Sequence, residues 1–263
     1  MIKSFQFLRG FVMQNPNLAN KKFILSDKLN VLFGPNGSHK SVTLKTLAAY
    51  CGISNGGWTQ ISDPGKLASN SQKHFPAVYM QYAPGQCYAN VEWDGRPTFY
   101  NDSDALNKND MTWFFTNASQ SADGITTEAE QMDIMASKPS SGQYRIHKIN
   151  KIMSIIQNPP DLTQVPPNIL DKTRAMYEVA YIQSLPRNGK ITLIFDEPEK
   201  AIALPKQYEL FKTLSTLSDY FQVIIATHSP FILYQKGANI IDMEKGYAKT
   251  CKTLFKNVVT DDE

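Results

Sequence analysis

The chain has 263 residues, 42% of them hydrophobic, which suits one large core, or a core with a small subdomain, better than two independent domains. A formal net charge of +3 with scattered Lys and Arg excludes a dense basic run of the kind that announces nucleic acid. Three cysteines, far apart and odd in number, exclude a disulfide framework and a thiolate metal cluster. No apolar run approaches the ~20 residues of a membrane span and the first residues lack a signal-peptide pattern, so a soluble, cytoplasmic chain with no membrane insertion is expected.

In chain order, residues 1–33 alternate apolar and polar stretches and end in Leu29–Phe33, which reads as a strand. Lys40–Tyr50 reads as a helix with an apolar stripe at Leu44, Leu47 and Ala48, and Gly52 can stop it. Residues 54–74 form a polar excursion, and 77–82 reads as a strand. Tyr88–Trp93 and 98–100 flank Asp94-Gly95, a hairpin signal because such a turn needs positive φ. Further on, 111–116 reads as a strand, 117–142 as polar loop with a short helix near 128–135, and 143–157 as a helix carrying Ile146, Ile149, Ile152 and Ile156. Pro159, Pro160, Pro166 and Pro167 separate it from a second helix over 171–184. Two continuous apolar runs, 191–195 and 223–226, bracket a helix over 206–217. That is the pattern of buried parallel strands. A last strand is expected near 240–243, before an acidic end.

Between the first strand and helix lies Gly34-Pro35-Asn36-Gly37-Ser38-His39-Lys40-Ser41, followed by Val42. It matches the phosphate-binding pattern G-x-x-x-x-G-K-[ST], with His39 where the second glycine belongs. Small residues let backbone N–H groups close on phosphate oxygens, and the helix N-terminus adds the positive end of its dipole. Lys40 would reach the β- and γ-phosphates and Ser41 would ligate Mg²⁺. If the loop needs positive φ at His39, the histidine costs about 1–3 kcal/mol of strain.

The run 191–195 ends in Asp196 and Glu197, which puts two acids at the carboxyl end of a buried strand, the edge where open α/β sheets bind ligands. Asp196 would hold the Mg²⁺ shell and Glu197 would orient or deprotonate the attacking water. His228 follows the next apolar strand, where an imidazole can bond a γ-phosphate or that water.

Taken together, Gly34–Ser41, Asp196-Glu-Pro-Glu199 and Thr227-His-Ser-Pro-Phe231 resemble an ABC-type ATPase of the stand-alone, SMC-like branch sometimes grouped as AAA-family ATP-binding proteins. The likeness spans almost the whole chain. It implies a single α/β domain over 1–263 with a mostly parallel sheet flanked by helices. It adds an antiparallel β subdomain and a helical, signature-bearing region over 117–190. Residues 139–143 resemble the L-S-G-G-Q signature, so the resemblance implies that Ser140, Gly142 and Gln143 cap ATP bound to a second subunit. It also implies a glutamine on the metal, either Gln120 or Gln81. The expected ligands are ATP and Mg²⁺. The expected partners are a second copy in an ATP-dependent homodimer, and a nuclease or other effector subunit or DNA in repair or defence against mobile elements. Two alternatives stand beside this one. The first is the ATPase subunit of a membrane transporter, disfavoured because Glu199-Lys-Ala-Ile-Ala-Leu-Pro205 lacks the usual leucine-aspartate pair. The second is a nucleotide sensor made nearly inert by His39.

Overall fold

The computed structural model describes residues 1–51, 53, 57–58, 87–96, 98–101 and 190–260. All of these except Lys200–Ala203 belong to one compact unit, built from Met1–Asp104, Gly189–Glu199 and Leu204–Glu263. Lys200–Ala203 fall in a second unit. The strands expected at 77–82 and 111–116 and the helices expected at 143–157 and 171–184 lie outside the described residues.

The elements run β1 (Ile2–Arg9), β2 (Lys22–Ile24), β3 (Leu29–Phe33), α1 (Lys40–Tyr50), β4 (Gly57–Trp58), β5 (Tyr88–Trp93) and β6 (Thr98–Asn101). There follow β7 (Thr192–Asp196), α2 (Leu204–Leu217), β8 (Gln222–Thr227), β9 (Asn239–Asp242) and α3 (Tyr247–Thr260). Among the described residues the chain is α/β. The strands β6, β7, β8, β3 and β9 form a parallel sheet in that order, β4 is antiparallel on the β6 edge, and β2, β1 and β5 form a separate antiparallel sheet.

Hydrophobic patterning explains the layers. All residues of β3, β7 and β8 are buried, as continuous apolar runs in a two-sided parallel sheet require. Leu32, Ile194, Ile224 and Ala226 share a core with Leu44, Leu47 and Ala48 of α1 and with Phe5, Phe7 and Phe23 of the antiparallel sheet. The alternate residues Val31, Leu193, Phe195, Val223 and Ile225 are buried on the opposite face. The crossover helix α2 buries Leu210, Phe211, Leu214 and Leu217. Gln222, 1% exposed, ties the two sheets together. Its amide donates to the carbonyls of Ile2 (2.7 Å) and Ser26 (2.8 Å), and its oxygen accepts from Ile2 N–H (2.8 Å) and the Thr192 hydroxyl (2.9 Å). A buried amide is tolerated because every bonding group is matched.

The hairpin expected at Asp94-Gly95 does not form. β5 pairs antiparallel with β1, Val91 opposite Phe5, whereas β6 pairs parallel with β7, Phe99 opposite Leu193. The turn chemistry is present: Gly95 has φ 76° and the Asp94 carboxylate accepts the Arg96 N–H at 3.0 Å. Burial chooses the partner instead. Phe99 and Tyr100 are buried in the parallel sheet, while Asn90 and Glu92 leave one face of β5 exposed. The helix α3 was not expected from the sequence at all.

Candidate functional site

Parallel register brings the candidate residues to one edge. Phe33 lies opposite Thr227 and Asp196 opposite Ala226, so Gly34, Glu197 and His228 leave adjacent strands together at their carboxyl ends. Glu197 N–H bonds to Ala226 O at 2.8 Å, which fixes the turn to the neighbouring strand.

The loop 34–39 joins β3 to α1. A Cβ on Gly34 would meet Ser38 Oγ at 2.7 Å and Met243 Cβ at 2.9 Å, so only glycine fits, and Gly37 adopts φ 79°. His39 caps α1 in the left-handed region, φ 68° and ψ 22°, with no side-chain capping bond. The positive-φ alternative is therefore the one realised. Its ring, partly buried, meets Phe11 edge-on with centroids 5.2 Å apart. Because alanine would keep the strain and lose the ring contact, His39→Gly is expected to melt higher than His39→Ala, by about 1 kcal/mol. Thermal unfolding of both variants checks this; equal melting would show that the backbone is not strained there.

Lys40 is 4% exposed and its Nζ donates to Gly34 O and Pro35 O, both at 2.9 Å. Burial pushes its pKa down, and the carboxylates of Glu197, Asp196 and Glu199 hold it up. Ser41 Oγ donates to Asp196 Oδ1 at 3.0 Å, which joins the helix to the end of β7. Ser38 Oγ is buried without a hydrogen-bond partner. The amides of the first helical turn have no intrahelical acceptor. An ammonium, an orphan hydroxyl and free amides facing one loop make a cradle for an anion. Val42 packs instead against the hydrophobic core.

The donor set also suits Mg²⁺. Ser41 and Asp196 offer hard oxygens side by side, and no group of three or more His, Cys, Asp or Glu able to hold a metal occurs among the described residues. Mg²⁺ is commonly held this way, by one or two protein oxygens together with water and phosphate oxygens. Glu197, φ 42°, and His228 face each other with Oε1 and Nδ1 3.7 Å apart, their side chains 20% and 49% exposed, so solvent reaches the pair.

Gly34 to Ser41, Asp196, Glu197 and His228 are thus brought together. Gln81, Gln120, Ser140, Gly142 and Gln143 lie outside the described residues. Sequence reasoning gave no role to Glu199, which is 3% exposed and accepts a hydrogen bond from the Thr227 hydroxyl. Its signal was the third acid of Asp196-Glu-Pro-Glu199.

Burial raises the Glu199 pKa, opposed in part by the Thr227 bond. A carboxyl whose folded pKa lies above its ordinary 4.5 stabilises the fold most when protonated and loses that contribution as pH rises through the folded pKa. Glu199→Gln removes the titration. The stability difference between variant and parent should therefore move in the variant's favour as pH climbs from about 4.5 towards neutrality. Urea titrations across that range read it, and a pH-independent difference would refute it.

No protein-family model matches this chain, and no curated protein matches its sequence. No described helix is long and apolar enough to cross a membrane.

Proposed function

We propose that the chain binds and hydrolyses Mg-ATP as an ABC-type ATPase that closes with a second copy around the nucleotide and drives an effector subunit or DNA transaction. The observation that carries this reading is the convergence of Lys40, Ser41, Asp196, Glu197 and His228 at one sheet edge, from segments up to 188 residues apart (228 minus 40), with Ser41 already bonded to Asp196. Residues that far apart in sequence have no local reason to meet.

In this scheme the loop amides and Lys40 bind the β- and γ-phosphates, trading the carbonyls of Gly34 and Pro35 for phosphate oxygens. Ser41 and Asp196 would hold Mg²⁺, which when bound neutralises charge on the phosphates. Glu197 accepts a proton from the attacking water, and His228 steadies that water or the γ-phosphate. Dimerisation through Ser140, Gly142 and Gln143, with Gln120 or Gln81 at the metal, belongs to the resemblance.

One observation favours a second reading. The left-handed backbone at His39 places strain in the loop proposed to hold the phosphates, which suits a sensor that binds ATP and scarcely turns it over. Phosphate release from Mg-ATP, with and without duplex DNA, separates the two. Mg-dependent turnover supports the ATPase, and binding without turnover supports the sensor. Neither binding nor turnover sinks both.

A further inference from the structure

The hydrolytic scheme leaves one buried acid at the site unused. Glu199 Oε1 accepts from the Thr227 hydroxyl, and Oε2 is buried with no hydrogen-bond partner. Thr227 Oγ1 itself accepts the Ser229 N–H at 2.9 Å. A threonine hydroxyl has one proton, so with the Ser229 amide on its lone pair that proton goes to Glu199. The bonds thus run from Ser229 to Thr227 to Glu199 and hold the backbone on both sides of His228. Ser229 Oγ adds a bond to Gln207 Oε1 at 3.1 Å, which anchors the same strand end to α2. At its other end, Glu199 lies two residues beyond Glu197 in a turn whose first residue has φ 42°. Glu197 and His228 are themselves partly solvent-exposed, so packing around their side chains does little to hold them. Their separation is set by the backbones that carry them.

We propose that Glu199 is a positioning residue, which through Thr227 clamps the turn bearing Glu197 to the strand end bearing His228. Its effect on turnover rests on the proposed ATP hydrolysis. Its effect on His228 does not.

The test compares Glu199→Ala, Glu199→Gln and Thr227→Val in the full chain by phosphate-release kinetics and by the imidazole NMR resonance of His228 without nucleotide. That resonance is assigned among the 4 histidines with His228→Gln. Glu199→Ala is expected to lower kcat by about 10–100-fold, as a misplaced reacting group does. It should leave the KM for ATP unchanged and shift the His228 resonance. Glu199→Gln, whose amide oxygen accepts the same hydrogen bond, restores most of the rate and the parent resonance. Thr227→Val, similar in shape but without the hydroxyl, should behave like Glu199→Ala and carries the test if that variant does not fold. An unmoved resonance with unchanged kcat in Glu199→Ala and Thr227→Val overturns the proposal, as does a glutamine variant no better than alanine. A parent protein that turns over no ATP, yet whose His228 resonance moves in Glu199→Ala and returns in Glu199→Gln, overturns the hydrolytic reading and leaves the clamp standing.

Discussion

Glu197→Gln is expected to abolish phosphate release from Mg-ATP, a loss of about 10²–10⁴-fold, while ATP still binds. The substitution keeps the shape of the side chain and its hydrogen-bonding reach. It removes only the ability to take a proton. Glutamine also places no new demand on a backbone already at φ 42°, so the turn that fastens to Ala226 O should persist. Binding should survive because the proposed phosphate cradle is residues 34–41, on a different strand-helix junction. Loss of one carboxylate near Lys40 also lowers the negative charge that an incoming polyphosphate meets. Single-turnover phosphate release beside equilibrium binding of a fluorescent ATP analogue measures both halves. Undiminished turnover would remove Glu197 from the chemistry, and lost binding would mean that the turn also shapes the cradle.

Lys40→Met should have the complementary effect, a fall in ATP affinity of about 10–100-fold, the worth of one strong charge-assisted hydrogen bond. Methionine keeps the apolar stem in its buried position, which limits the packing loss. The loss of the ammonium matters for two reasons. It faces the carboxylates of Glu197, Asp196 and Glu199, so its removal leaves a locally anionic edge. The carbonyls of Gly34 and Pro35, each 2.9 Å from Nζ, also lose their donor. Equilibrium binding and thermal melting together decide the matter. Weaker binding with a melting temperature lowered by the orphaned carbonyls, short of unfolding, is the expected pair. Unchanged affinity would contradict a phosphate-binding role for this loop.

The expected effects differ in kind because the site is assembled from parts with different physical origins. The loop 34–39 is local: its conformation follows from small residues, two positive-φ positions and the start of a helix, Gly37 and His39 supplying the positive φ. The acids and the histidine are not local. They converge because β7, β8 and β3 are parallel neighbours in register, and parallel pairing is decided by burial over the whole sheet. The strain at His39 belongs to both. A residue pattern raised the question of φ at that position, and the observed 68° with a ring against Phe11 answered it.

The amino-acid sequence by itself determined the strongly patterned parts of this protein. Continuous apolar runs marked β3, β7 and β8 because a strand buried on both faces is mostly apolar, and the stripe at Leu44, Leu47 and Ala48 marked α1 because those residues face one core. The same runs placed Gly34, Glu197 and His228 at strand ends. Only the tertiary structure decided the partners. Asp94-Gly95 has the chemistry of a hairpin, yet β5 and β6 enter different sheets, since a turn sets local φ and ψ while burial of Phe99 and Tyr100 sets the pairing. Helix α3 carries Tyr247, Cys251 and Phe255 at helical spacing with Lys249, Lys252 and Lys256 on another face, but what its apolar face meets is set by the fold: Phe231 packs on Phe255, 5.6 Å between ring centres. Glu199 was visible as one more acid in a motif. Its burial beneath Thr227 required the strand bearing that hydroxyl to fold alongside, because a carboxyl is drawn into the interior only where a donor from another element meets it.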